Sequence, residues 1–475
     1  MNLQNLLPSR RQMLRTVSSG FGYLAFSSLA TLAASREARA YSNLFSQDES
    51  NNPLAPRSPH FGAKAKRVIF LCMRGAPSHI DTFDYKPQLT RDNGKEGRRR
   101  GKLLGSPWSF SQHGESGLWI SELFPEVAGM ADDLCLIRSM NTDQPVHARA
   151  QTQMHTGNAQ FVRPSLGAWT LYGLGTENDS MPGFVALNPP AGTEQNYGNS
   201  FLPAIYQGTK VGRQQSRSTG SRSAQDRRSA LPNISNPNMT RDQQRRQLDL
   251  IQDLNRQRLN DDPNHPEIEG VIESYELAFR MQSEMPRLMD ISGETEDTLD
   301  LYGIGQNPTD AFGRQCLMAR RFVESGVRFV EVTAGNWDHH ANLSTRLPQS
   351  CSEVDKPIAG LLTDLKQRGM LEDTLVVWAG EFGRTPDAQG GDGRDHNNKG
   401  YTSWMAGGGV KGGFSYGATD EHGYEAVENG CHIHDWHATI LHLMGLDHER
   451  LTYRYAGRDF RLTDVHGNIA TDIIA

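Results

Sequence analysis

One pattern recurs along the chain from residue 67: a short apolar run stops at a loop of Gly, Pro and ionisable side chains. Val68-Ile69-Phe70-Leu71-Cys72-Met73 runs into Arg74-Gly75-Ala76-Pro77, and the same grammar returns at 134–137, 183–187, 327–332 and 375–379. A run of this length with no polar alternation fits a strand covered on both faces. Apolar residues at helical spacing precede the last two runs, at 317–325 and 358–369, the second closed by Gly369 in a C-cap position. Helix, strand, helix, strand predicts an α/β fold: a doubly wound, mainly parallel sheet flanked by helices. Such sheets place their sites at the carboxyl ends of the strands, so the residues after each run carry the interest.

What precedes residue 67 reads as an address and a tether. Ser9-Arg10-Arg11-Gln12-Met13-Leu14 stands ahead of a mild apolar run at 17–34 and of Ala38-Arg39-Ala40, the layout of a twin-arginine export signal over residues 1–40. Diluted by Ser, Thr and Gly, that run falls short of a comfortable span, so no stable membrane span is expected after cleavage. The expectation is a periplasmic or extracellular protein that meets the twin-arginine translocase already folded. Residues 41–66, rich in Asn, Ser, Pro and charge, read as a linker, which leaves 67–475 as the domain. Within it, 211–290 reads as a polar insertion or lid with a very polar helix at 241–260. A formal net charge of -6 argues against a protein built to coat nucleic acid, so the insertion's arginines read as solvated surface. Five cysteines without CxxC spacing support neither a zinc knuckle nor a dense disulfide framework, and Cys72 and Cys135 read as small buried hydrophobes.

The chemistry concentrates after the strands. Gly75-Ala76-Pro77-Ser78-His79-Ile80-Asp81-Thr82-Phe83-Asp84-Tyr85-Lys86-Pro87 offers carboxylates, an imidazole and a hydroxyl, the donors that hard or borderline divalent cations take. Asp81 is the candidate metal ligand there, His79 a contact to substrate or metal, and Asp84 a turn cap. In Asn336-Trp337-Asp338-His339-His340, Asp338 and His340 point to the same side if extended and can share a cation, while His339 faces away. In Gly380-Glu381-Phe382-Gly383-Arg384-Thr385 and Arg394-Asp395-His396-Asn397-Asn398-Lys399, a carboxylate and an imidazole meet three cations; Arg384, Arg394 and Lys399 suit an oxyanion. His434 and Asp435 open a C-terminal helix, where Asp435 fits a cap and His434 is a candidate to complete a metal shell.

These segments, with Pro386 and Gly393 extending two of them, resemble the bacterial family catalogued as domain of unknown function 1501, over nearly the whole chain after the signal. That family is similar to the alkaline phosphatase and sulfatase superfamily, which implies an alkaline-phosphatase-like core and a metal site that hydrolyses phosphate or sulfate esters. By position, Asp81 resembles the superfamily's first metal Asp, Glu381 stands where its later Asp lies, and Asp338, His340 and His396 resemble the remaining ligands. Two positions depart from the pattern. Counting back from Met154-His155-Thr156-Gly157 puts His147 where a sulfatase carries its nucleophile, so formylglycine chemistry is not available there; and Phe382 replaces the His that follows the metal Asp. Thr142 or Ser139 remains as an oxygen nucleophile, water as an alternative, and His147 as a ligand or general base. Two functions follow: an exported hydrolase using zinc, manganese or calcium on a small-molecule or polysaccharide ester, or a non-catalytic, metal-stabilised protein that binds an extracellular polymer or surface partner.

Overall fold

The computed structural model describes residues 52–99, 101–212, 238–261 and 266–475. The signal-like segment 1–40 and most of the basic stretch 211–238 lie outside the described residues. The central strand is β1 (Arg67–Met73), followed in the chain by β2 (Leu134–Asn141), α1 (His147–Thr156), α2 (Leu166–Leu174), β3 (Phe184–Leu187) and β4 (Thr209–Val211). Then come α3 (Arg241–Asp261), α4 (Pro266–Met289), α5 (Asp310–Glu324), β5 (Phe329–Ala334), α6 (Leu343–Gln367) and β6 (Thr374–Ala379). A hairpin of β7 (Gly383–Ala388) and β8 (Arg394–Asn397) leads to β9 (Tyr401–Ala406), β10 (Phe414–Tyr416), β11 (Cys431–His432) and α7 (Ile433–Leu443).

Among the described residues the main sheet has nine strands, ordered β10-β2-β9-β6-β1-β5-β3-β4, with β11 also pairing β2. Pairing is parallel everywhere except around β9, which runs antiparallel to both β6 and β2. The cause is the hairpin: the chain leaves β6 at its carboxyl end, folds β7 and β8 there, and re-enters from that same end. β9 was not among the predicted strands.

Alternation divides the side chains of β1 between two cores. Ile69, Leu71 and Met73 join one with α5 and α6 (Leu317, Phe322, Ile358, Leu361), while Val68, Phe70 and Cys72 join the other with α1, α2 and α7 (Met154, Trp169, Trp436, Leu441). The expected doubly wound sheet is therefore present, with helices on both faces. The helix predicted at 358–369 starts earlier, at Leu343, and contains Pro348 and Pro357, residues that sequence rules treat as breakers. An unbroken stripe of Leu343, Leu347, Cys351, Val354, Ile358, Leu361 and Leu365 outweighs them by burying one face.

Two organisational expectations need correction. Residues 52–66 are not a free linker: Leu54 and Ala65 are buried, and amides of Arg57, His60 and Lys64 donate to carbonyls of Leu174, Gly445 and Leu443, strapping the segment across α2 and α7. Nor is 211–290 only a polar lid, because α4 places Leu277 and Met285 in the two cores and α3 is clamped to it by the Arg245–Glu276 pair at 2.8 and 2.9 Å. All five cysteines are buried and unpaired. Among the described residues, no helix is long and apolar enough to cross a membrane.

On α7, His437 is fully buried with Nε2 2.7 Å from the Met154 carbonyl, and burial, followed by the neighbouring His434, pushes its pKa down to about 3. A histidine whose folded pKa lies below its unfolded value of about 6.5 binds fewer protons when folded, so stability is intact at neutral pH and drains away as pH falls below 6.5. That imidazole alone is expected to cost on the order of 3 kcal/mol between pH 6.5 and 4. Urea midpoints measured against pH should fall over that window, and less steeply in His437→Gln; a flat profile would contradict a neutral buried imidazole.

Candidate metal centre at the strand ends

β1, β5 and β6 end side by side, and their first loop residues interlock. Gly75 has φ +111, and a Cβ there would lie 2.8 Å from the Asp338 nitrogen, so only glycine lets the β1 loop lie against Trp337 and Asp338. In that conformation the Gly75 N–H donates to both oxygens of Glu381, at 3.1 and 3.2 Å. Glu381, just beyond β6, is buried and accepts two further bonds from α1: Gln151 Nε2 at 3.2 Å and His147 Nδ1 at 2.6 Å. His147 and Gln151 are one helical turn apart, so a single carboxylate holds both.

Fixed in this way, His147 turns Nε2 toward Asp338 Oδ1, 3.2 Å away. His340 Nε2 lies 3.0 Å from the same oxygen and His396 Nε2 3.7 Å, with the two Nε2 atoms 2.9 Å apart. Together these four ligand atoms lie within 4.8 Å of one another, half-buried at the rim of the sheet. Each imidazole has an acceptor at Nδ1: Glu381 for His147, the Gln389 side-chain oxygen at 2.5 Å for His340, and the Pro145 carbonyl at 2.7 Å for His396. Those acceptors assign the proton to Nδ1 in every ring, which leaves three Nε2 lone pairs and a carboxylate oxygen facing one another. Four electron-rich atoms at such distances repel unless positive charge sits among them.

Positive charge also supports the carboxylate from behind. Burial alone would raise the pKa of Asp338, yet the Arg384 guanidinium, bonded to Oδ1 at 2.6 Å, holds it below the usual carboxylate range. Arg384 is itself buried, donating to the carbonyls of Ala76, Gly75, Trp337 and Arg394, so it stitches the β1, β5 and hairpin loops together. The β7/β8 hairpin sets His396 opposite Arg384 in register. It approaches so closely that a Cβ on Gly393 would meet the His340 carbonyl at 2.0 Å. Phe382 forms the apolar wall, its ring 4.8 Å from that of His147 and 4.6 Å from that of His396.

Of the residues expected from sequence, His147, Asp338, His340 and His396 converge, with Glu381 and Arg384 in direct contact behind them. Others do not join. Asp81, expected as a ligand, is fully buried in a two-point pair with Arg394 (2.7 and 3.0 Å) and also accepts from Ser78. Arg394, expected to hold an oxyanion, spends its other donors on the Thr385, Pro386 and Leu104 carbonyls. His79 is buried against the Gly423 carbonyl, and burial pushes its pKa down to about 4. Lys399 is exposed on the turn after β8. Ser139 donates to the Asn429 carbonyl, and Thr142, 3% exposed, donates to Gln153 at 3.0 Å. His434 belongs to a separate cleft beside His432 and His466, while Asp435 accepts from the His432 amide and caps α7. Sequence reasoning passed over Gln151 and Gln389; a polar residue one turn after His147 was the available signal for the first, and nothing local marks the second.

Because Asp81 and Arg394 are both fully buried, removing one partner strands the other's charge, at about 3–5 kcal/mol. Thermal melts of Asp81→Asn should show that loss, and Asp81→Asn combined with Arg394→Met should recover part of it. A fall in metal content at unchanged stability would instead mark Asp81 as a ligand.

Similar solved structures include the sulfatase PsFucS1 from Pseudoalteromonas sp., at 14% identity over 90% of this chain and 72% of that one with a TM-score of 0.34. The alkaline phosphatase from the Antarctic bacterium TAB5 matches at 12% identity over 80% and 98% of the two chains, with a TM-score of 0.32. The phosphonate monoester hydrolase SpPMH from Silicibacter pomeroyi matches at 11% identity over 80% and 73%, with a TM-score of 0.27. No curated protein matches the sequence. The family described as protein of unknown function, DUF1501, matches residues 65–474, and the chain belongs to it.

Proposed function

We propose that the chain is an exported, metal-dependent hydrolase of phosphate or sulfate esters. The supporting observation is the convergence of His147, His340 and His396 Nε2 with Asp338 Oδ1, each ring oriented by an acceptor at Nδ1. Fixing a ring nitrogen from the far side is how metal-binding imidazoles are held in place. Three imidazoles and one carboxylate suit zinc better than calcium or manganese, which favour all-oxygen shells. A divalent cation held there would supply a Lewis acid that draws electrons from an ester oxygen and acidifies water.

The chain's own residues supply the rest. Glu381 holds His147, and Arg384 fixes Asp338 and keeps it ionised at neutral pH. Arg74, exposed at the end of β1 with Nε on Gln151, and Arg346, whose guanidinium reaches the Asp338 carbonyl, are open cations beside the cluster for an ester's oxyanion. In this reading the attacking oxygen comes from water, since the Ser139 and Thr142 hydroxyls are committed to other acceptors. Those same commitments favour a second reading, in which the centre only stabilises a protein that binds an extracellular polymer. Export by the twin-arginine translocase and loss of residues 1–40 belong to the proposal and rest on the Arg10-Arg11 signal.

Mature protein purified with its metal should hydrolyse one of an aryl phosphate, an aryl phosphodiester and an aryl sulfate. His340→Ala is expected to abolish both metal binding and turnover, and Glu381→Gln to lower metal affinity or kcat by about 10–100-fold. Stoichiometric metal with no turnover of any ester would favour the binding protein.

A further inference from the structure

Beneath the strand-end cluster, a second group of donor side chains lies wholly within the core. Cys72 on β1, Glu331 on β5 and His155 on α1 are 2%, 3% and 4% exposed, and one ligand atom from each lies within 4.8 Å of the others. Cys72 pairs with Thr333 and Phe70 with Glu331, so thiol and carboxylate are diagonal neighbours on the face that α1 covers. A carboxylate on that face is out of place, because its neighbours there are Phe70, Phe184 and Phe329. An ionised carboxyl in such surroundings requires a positive partner.

The arrangement of His155 matches that of the three strand-end histidines. Its Nδ1 lies 2.7 Å from the Gln151 carbonyl, which takes the ring's proton, and its Nε2 points at Glu331 Oε1, 3.2 Å away. A second observation lies on the other side of the pair. His155 and Glu331 line a small cavity of about 10 Å³ together with Asn196, which is 6% exposed and whose Oδ1 is buried without a hydrogen-bond partner. A thiol, an imidazole nitrogen and a carboxylate converge, and an unpartnered amide oxygen lines the cavity that the imidazole and the carboxylate share. Thiolate sulfur, imidazole nitrogen and carboxylate oxygen are each ligands that a borderline divalent cation of the zinc class takes.

We propose that Cys72, His155 and Glu331, with Asn196 at the adjoining cavity, bind a second divalent cation of the zinc class that cross-links β1, β5 and α1. Without a cation, the positive partner is a proton on His155: burial works to lower the pKa of that imidazole, but the adjacent Glu331 carboxylate raises it on balance. Binding exchanges that proton and the Cys72 thiol proton for the cation, and both leave to solvent. The site is independent of the hydrolase reading, since it lies inside the sheet and needs no substrate.

Full-length mature protein produced with cobalt(II) as the only added transition metal tests this directly. A cobalt–thiolate bond gives a charge-transfer absorption in the near ultraviolet, which a site of nitrogen and oxygen donors such as the strand-end cluster cannot give. Wild type should show the band; Cys72→Ser should lose it with one cobalt per chain, and His340→Ala should keep it. Should Cys72→Ser fail to fold, His155→Gln serves in its place. Wild type loaded with cobalt but lacking the band overturns the proposal, as does an unchanged band in Cys72→Ser; the triad is then a protonated histidine–glutamate pair, with a water in the cavity.

Discussion

The Glu381 carboxylate is the tie on which the rest of the functional end depends. It takes the Gly75 amide from the end of β1, the His147 ring and the Gln151 amide from α1, and its own chain continues into the hairpin that carries His396. A buried carboxylate is tolerable only when its oxygens have partners, and here the partners come from two separate parts of the chain, the loop after β1 and α1. The geometry of the cluster is thus set by the same bonds that close the sheet's carboxyl edge. Arg384 repeats the device with opposite charge, collecting carbonyls from the neighbouring loops before it reaches Asp338.

Much of the architecture was legible because its signals are local. Five apolar runs became strands with boundaries shifted by one to four residues, and the loops after β1, β5 and β6 do hold the ionisable side chains. What escaped depends on distance in sequence. β9 contains Ser and Thr beside Trp404 and is followed by three glycines, so it carries no clean strand pattern; its direction follows from the hairpin before it. α6 runs through Pro348 and Pro357 because proline preferences are local while its buried stripe is tertiary.

The candidate site divides along the same line. Asp338 and His340, two apart after one strand, could be paired on spacing alone, whereas Asp81 and Arg394 looked equally suitable as functional charges. Nothing in their local sequence says that they neutralise each other across more than 300 residues. Residue type nominates a side chain for chemistry; only the inventory of its partners decides whether it is spent on structure. His147 shows the reverse, since a position that looked like a missing nucleophile proves to be a ring held by Glu381 and facing the cluster.

The two ends of the main sheet have a separate consequence. Among the described residues its outermost strands, β4 and β10, are three residues each, edges too short to template pairing with another chain. Edge-to-edge growth, the standing hazard of a large sheet, finds little backbone to grasp. Encounters with other molecules are thereby directed to the rim of loops above the strands, where the ionisable groups are.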